Sequence, residues 1–235
     1  MGFGIGDSGF GVPNPKSFRI PNPKSRIPTL YAVLDADVAA RAGWTLVDLA
    51  AACLAGGATF LQVRAKQAAS GWLLETAAAI VERARAAGAL VIVNDRADIA
   101  RLANADGVHV GQDDLAPAAA RALLPDAALV GLSTHTADQI EAALAQPISY
   151  LAIGPVFGTS TKATGYNAVG LARVRHAASR ARTRQLPVVA IGGITLESAP
   201  EILQAGADAV AVLSDLLTTG DPEGRVREYL RRLKV

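Results

Sequence analysis

The chain has 235 residues, 51% of them hydrophobic, and a formal charge of +2. That length and apolar content suffice to bury a large core in one domain, or at most two. Residues 1–28 hold four basic side chains against Asp7 and the remainder sums to −1, so no basic face points to nucleic acid, although a small anionic ligand is compatible with local charge.

The first 28 residues are rich in glycine and proline and repeat PNPKS at 13–17 and 21–25. Such a segment buries too little apolar surface to offset its ordering entropy, so a flexible tail is expected there, with a docking peptide as the other use. It lacks the apolar stretch of a signal peptide. No run reaches the ~18 apolar residues of a membrane span, and the longest, 49–61, is interrupted by Gly56 and Gly57. Cys53 is the only cysteine, which excludes an intrachain disulfide, fits a cytoplasmic setting, and in LAAACLAGG reads as an inert core thiol.

From residue 29 a regular pattern begins. Apolar, β-branched runs fall at 29–34, 59–64, 89–94, 107–110, 128–132, 149–153, 187–191 and 208–213. Alanine-rich segments of helical spacing separate them, among them WLLETAAAIVERARAAG and TADQIEAALAQ, with glycine or Thr, Ser and Asp at their ends. Eight strand–helix units of about 25 residues predict an α/β fold, a single-domain (β/α)8 TIM barrel over 29–235 behind the tail. An open doubly wound sheet is the competing architecture, but no GxGxxG follows the first strand. In a barrel of this kind the active site lies at the carboxyl ends of the strands.

The strand ends carry the chemistry. Gln62, Arg64 and Lys66 alternate with Leu61, Val63 and Ala65, so the polar set shares one face. The outer face of a barrel strand packs on helices, so that set points to the axis and forms a receptor for phosphate or diphosphate. The third strand ends VNDR, with Asn94 and Asp95 at the rim, and the fourth ends VHVGQDD, with Asp113 and Asp114. Carboxylates from neighbouring strand ends suit Mg²⁺, although Asp114 could instead cap the following helix. The fifth strand ends at Ser133 and His135, and the sixth leads into GPVFGTSTK with Thr159, Thr161 and Lys162. The long glycine-rich connection from 154 to 170 reads as a mobile segment that closes over ligand. IGGI after the seventh strand and Leu213-Ser214 after the eighth offer backbone N–H groups to a second phosphate, which the sixth loop would bridge to the first. His109 reads as a satisfied interior residue and His176 as surface helix.

In order and spacing, LQVRAK, VNDR, DGVHVGQDD, GLSTHT, GPVFGTSTK, PVVAIGGI and AGADAVAVLS resemble the thiamine phosphate synthase family over residues 29–234. The resemblance implies a (β/α)8 transferase that joins 4-amino-2-methyl-5-hydroxymethylpyrimidine diphosphate to a thiazole phosphate, or its carboxylated form, and releases diphosphate. It implies that Gln62, Arg64, Lys66, Asn94, Ser133 and Lys162 bind the pyrimidine diphosphate, with Arg64, Lys66, Ser133 and Lys162 catalytic. It further implies Asp95 and Asp114, rather than Asp113, as ligands of a Mg²⁺ cofactor, and Thr159, Thr161, Gly193, Leu213 and Ser214 on the thiazole phosphate. The implied partners are small phosphorylated molecules, not nucleic acid or membrane, with homo-oligomerisation left open. Ala65 stands where an acidic residue is common and Gly158 where proline is frequent, but neither departure removes a ligand. A thiazole tautomerase of the same barrel, using His135 for proton transfer, is the nearest competing reading. A non-catalytic phosphate sensor that uses the tail for partners is a third.

Overall fold

The computed structural model of the chain describes residues 27–158 and 167–234. Residues 1–26 of the expected tail lie outside the described residues, as do Thr159, Thr161 and Lys162. Strands and helices alternate as β1 Leu30–Asp35, α1 Ala36–Arg41, α2 Leu46–Ala55, β2 Phe60–Arg64, α3 Ser70–Ala86, β3 Leu90–Asn94, α4 Ala97–Leu102, β4 Gly107–Val110 and α5 Pro117–Leu123. They continue as β5 Leu129–Thr134, α6 Ala137–Leu144, β6 Tyr150–Ile153, α7 Gly170–Arg182, β7 Val188–Ile191, α8 Ala199–Gln204, β8 Ala209–Val212 and α9 Pro222–Arg232. All eight strands are parallel, each pairs with the next, and β1 closes the ring on β8 through Leu30↔Val210 and Ala32↔Val212. The expected (β/α)8 barrel is therefore the observed fold. Among the described residues no helix is long and apolar enough to cross a membrane.

The period of two along each strand divides its side chains between two environments. Leu61 and Val63, Val91 and Val93, and Val188 and Ala190 face outward into one apolar layer shared with the helices. Helix α3 meets that layer with Leu73, Ala77, Ile80 and Ala84, the spacing of a single helical face. Cys53 is wholly buried there, and burial pushes its thiol up to about 12, as an inert core thiol requires.

The other parity fills the barrel axis. Tyr31, Val33, Phe60, Ile92, Leu129, Tyr150 and Val189 form a second apolar cluster inside the ring. Although aromatics make up only 5% of the sequence, three of them concentrate here. Tyr31 stacks on Phe60 with centroids 3.9 Å apart, and Tyr150 meets each of those rings edge-on at 6.1 Å. Ile27, counted with the tail in the sequence reading, is buried in this same cluster.

Gly131 on β5 makes room for this packing. A Cβ there would overlap the ring and hydroxyl of Tyr150 and come within 2.5 Å of His109 Nδ1. Gly131→Ala therefore overpacks an interior with no slack and should lower unfolding free energy by about 1–3 kcal/mol. Urea titration should show a reduced midpoint at unchanged slope.

Candidate active site

Above the aromatic layer the same inward-facing positions turn polar. A cavity of about 610 Å³ opens at the carboxyl ends of the strands. Gln62, Arg64 and Lys66 from β2 and its turn, Asn94 and Asp95 from β3, Asp113 and Asp114 after β4, and Ser133 and His135 from β5 all line it. These side chains from separate strand ends thus gather in one place.

Arg64 is held by a residue the sequence reading passed over. Asp35 ends β1 directly opposite Arg64 in the register, is 4% exposed, and pairs through Oδ2 with Arg64 Nη1. Its Oδ1 accepts from the backbone N–H of Asp37 and Val38 at 3.1 Å and so caps α1. The carboxylate is thus fixed by one helix start while it fixes the guanidinium. Arg64 Nε is buried with no hydrogen-bond partner among the described residues, a donor that an incoming anion would satisfy.

Lys66 Nζ lies 3.2 Å from Asp95 Oδ2, and the lysine side chain is 48% exposed at the cavity mouth. Asp95 adopts a left-handed backbone conformation (φ 63°), and its N–H donates to His109 O at 2.7 Å. Asp95 lines the cavity from this turn. The next residue, Arg96, is committed elsewhere, to Asp98 and Ser70. Asp114 does not cap α5, whose N-cap is Ala116 without a side-chain bond. Instead Asp114 Oδ2 accepts from Gly111 N–H at 2.7 Å, an approach in which a Cβ on Gly111 would sit 2.9 Å from that oxygen.

The Asp95 carboxyl is raised above its ordinary range, first by burial and then by the neighbouring Asp114 carboxylate, with Lys66 opposing. Two carboxyl groups held together in this way are a pair that a cation would relieve. Among the described residues, no group of three or more His, Cys, Asp or Glu side chains converges on a metal position. Two carboxylates with the remaining positions left to water and phosphate oxygens fit Mg²⁺ rather than a metal caged wholly by protein.

The floor of the cavity is a hydrogen-bonded row. Gln62 Nε2 donates to Tyr31 Oη at 2.8 Å, Tyr31 Oη lies 3.1 Å from Tyr150 Oη, and His109 sits between Tyr150 Oη (3.0 Å) and Ser133 Oγ (2.8 Å). Burial is the main cause that holds both phenols well above their ordinary value, so they remain protonated donors. His135 Nδ1 lies 2.5 Å from Gly154 O, which ties the end of β5 to the start of the sixth loop. His176 is exposed on α7.

On the far side of the mouth, Ile191, Gly192 and Ala211 line the cavity. Gly193, Leu213 and Ser214 follow one to three residues beyond them and are not among its lining residues. Gly192 and Gly193 have φ of 101° and 64°, and side chains there would strike Pro155 and Gly158. The double glycine lets the loops after β6 and β7 touch, with Val156 N–H on Ile191 O at 2.9 Å and Phe157 N–H on Gly192 O at 3.0 Å. Asp35, Arg41 and Tyr31 also line the cavity and were not read as site residues from sequence. For Asp35 the signal was the LDAD that ends the first strand on the same parity as Tyr31 and Val33.

A family model described as thiamine monophosphate synthase matches residues 30–216. The chain is 43% identical over 210 residues to the thiamine-phosphate synthase of Koribacter versatilis, which covers 88% of this chain and 97% of that protein. It is 43% identical over 185 residues, 79% of its length, to the thiamine-phosphate synthase of Synechococcus sp., and spans about half (51%) of that longer protein. Among solved structures, thiamine phosphate pyrophosphorylase from Pyrococcus furiosus superposes with a TM-score of 0.78 at 29% identity, covering 90% of this chain and 96% of that one.

The crowded carboxyl pair has a measurable consequence. A carboxyl whose folded pKa is raised binds its proton more tightly in the native state, so stability falls as pH rises from the ordinary aspartate value of 3.8 through the raised one. In chelator, Asp95→Asn should therefore be more stable than the parent at pH 7, with the difference vanishing below that window. Asparagine also tolerates the left-handed backbone at this position. Urea midpoints across a pH series check the sign, and equal or lower midpoints for the variant at pH 7 would contradict it.

Proposed function

Because this chain belongs to the thiamine monophosphate synthase family, we propose that its barrel mouth joins 4-amino-2-methyl-5-hydroxymethylpyrimidine diphosphate to 4-methyl-5-(2-phosphoethyl)thiazole, or its carboxylated form, to give thiamine phosphate and diphosphate. The chain is an enzyme of thiamine phosphate synthesis, a transferase on a TIM barrel. The residue roles are our assignment. The observation that carries them is the partnerless, buried Arg64 Nε, set beside Lys66 and the Asp95–Asp114 pair in one cavity with Gln62 and Ser133.

Arg64 and Lys66 hold the diphosphate, joined by Lys162 from the sixth loop, while Gln62, Asn94 and Ser133 hold the pyrimidine end. Asp95 and Asp114 hold Mg²⁺, which, when bound, supplies positive charge to the leaving diphosphate. Thr159, Thr161, Gly193, Leu213 and Ser214 hold the thiazole phosphate across the mouth. The pyrimidine methylene–oxygen bond breaks with its electron pair going to diphosphate, and the thiazole nitrogen lone pair forms the new carbon–nitrogen bond. A ring nitrogen nucleophile has no proton to lose, so no general base is needed. Charge grows on the departing oxygens, and cations fixed in advance around them stabilise the transition state more than the ground state. A biosynthetic enzyme of this kind suits the cytoplasm. The tautomerase reading gains no support, since it leaves the carboxylate pair, Arg64 and Lys66 without a task.

Diphosphate release should require both substrates and Mg²⁺, and incubation with the thiazole phosphate alone should change nothing. Arg64→Ala and Lys162→Ala should each lower turnover by roughly a hundredfold, the scale of one lost preorganised electrostatic contact. Single-turnover bond formation at near-parental rates in both variants would remove the electrostatic account.

A further inference from the structure

The row Gln62–Tyr31–Tyr150–His109–Ser133 takes one side chain from each of five strands, β2, β1, β6, β4 and β5. Its three inner members are at most 7% exposed, so their hydrogen bonds are to each other rather than to bulk water. With the Gln62 amide nitrogen on Tyr31 and a neutral imidazole at His109, the direction of every link follows from counting protons. The Gln62 amide nitrogen can only donate, so Tyr31 Oη accepts and must spend its one proton on Tyr150 Oη. Tyr150 in turn spends its proton on His109 Nδ1, which leaves Nε2–H to donate to Ser133 Oγ. Ser133 accepts from below and therefore turns its own hydroxyl proton toward the cavity. At the other end Gln62 Oε1 takes no hydrogen bond from the described residues, and Gln62 lines the same cavity.

We propose that this row is a polarity relay that turns the Gln62 carbonyl and the Ser133 hydroxyl proton toward the cavity, so that the cavity favours a neutral heteroaromatic ring with an N–H donor facing Gln62 and an unprotonated nitrogen facing Ser133. Tyr31, Tyr150 and His109 are its positioning residues: none needs to touch the ligand, yet together they fix the character of both ends. Reversing the row would require the Gln62 amide to turn over so that its carbonyl took the Tyr31 proton, and the amide stands the other way, with Nε2 on Tyr31 Oη. The identity of the ring as an aminopyrimidine rests on the function proposed above. The direction of the relay does not. An oxo ring of the same shape, with a protonated ring nitrogen and a carbonyl in place of the amine, inverts both edge groups and leaves buried partners unpaired.

Two measurements test this. Nitrogen-15 chemical shifts of His109 in the ligand-free protein should report the Nε2–H tautomer with a bare Nδ1, and the Nδ1–H tautomer would overturn the relay. The parent should bind 4-amino-2-methyl-5-hydroxymethylpyrimidine monophosphate at least about tenfold more tightly than the 4-oxo analogue, the scale of one lost hydrogen bond. Tyr150→Phe keeps the ring that stacks on His109 at 5.6 Å but deletes the central hydroxyl, and should shrink that preference to within about threefold. An undiminished preference in the variant would overturn the proposal, because a purely structural hydroxyl would weaken both ligands alike. Thiamine phosphate synthesis failing while His109 shows the Nε2–H tautomer would count against the function and leave the relay standing.

Discussion

A closed ring of eight parallel strands has only one inside, and each strand can send only alternate residues there. Everything else in this molecule follows from that restriction. Height along the strand decides what an inward residue becomes. Low on β1 and β2 the inward positions are Tyr31 and Phe60, which fill the axis with stacked rings, and high on the same strands they are Asp35 and Arg64, which reach the mouth. Core and site are therefore one column of side chains read at two levels, and a shift of one residue in register would exchange both for the outward-facing valines and alanines.

That geometry explains how the site holds charges that are partly withdrawn from water. A largely buried arginine is costly unless its charge and donors are matched. Asp35 matches the charge but takes only part of the guanidinium, because its other oxygen is committed to the N-terminus of α1. Arg64 is thus held in position and still has capacity for an anion. The opposite deficit exists at Asp95 and Asp114, where negative charge is in excess and Lys66 offsets it only in part. Unmet positive and unmet negative capacity side by side are what the proposed metal-bound diphosphate would use. The folded chain carries that mismatch as a local cost, offset by the apolar layers around it.

Much of this was legible in the sequence because parity and punctuation are local signals. QVRAK displays its alternation openly, and NDR and QDD mark strand ends with carboxylates. Asp35 escaped because the apolar run was cut at Leu34, one residue before its last inward position. Tyr31 and Tyr150 escaped for a different reason: inside TLYAVL and SYLAI they read as strand-forming bulk, and nothing local reveals that their hydroxyls meet across the barrel. His109 was correctly taken as a satisfied interior residue, yet its partners lie on β5 and β6, 24 and 41 residues away in sequence. The double glycine at 192–193 was read for its backbone donors, and nothing local reveals that it also lets the loops after β6 and β7 touch. Pairing across the ring is a tertiary fact, set by closure rather than by neighbours.

The floor of the cavity brings these threads together. A row of hydroxyls and one imidazole is an expensive thing to bury, since a single missing partner leaves a desolvated polar atom. Here the row is complete from Gln62 to Ser133, and Gly131 gives up its side chain so that His109 and Tyr150 can lie against each other. An apolar floor of the same volume would be simpler to pack, and the rings of Tyr31 and Tyr150, which carry two of these hydroxyls, already pack against Phe60 as apolar bulk. What an apolar floor lacks is direction. It would leave Gln62 and Ser133 free to turn either face to the ligand, whereas a chain of single protons, each claimed by the next oxygen or nitrogen, transmits one orientation from β2 to β5 without moving any backbone atom. The ordering that the reaction needs at the pyrimidine is in this way built in before a ligand arrives, as part of folding the barrel itself.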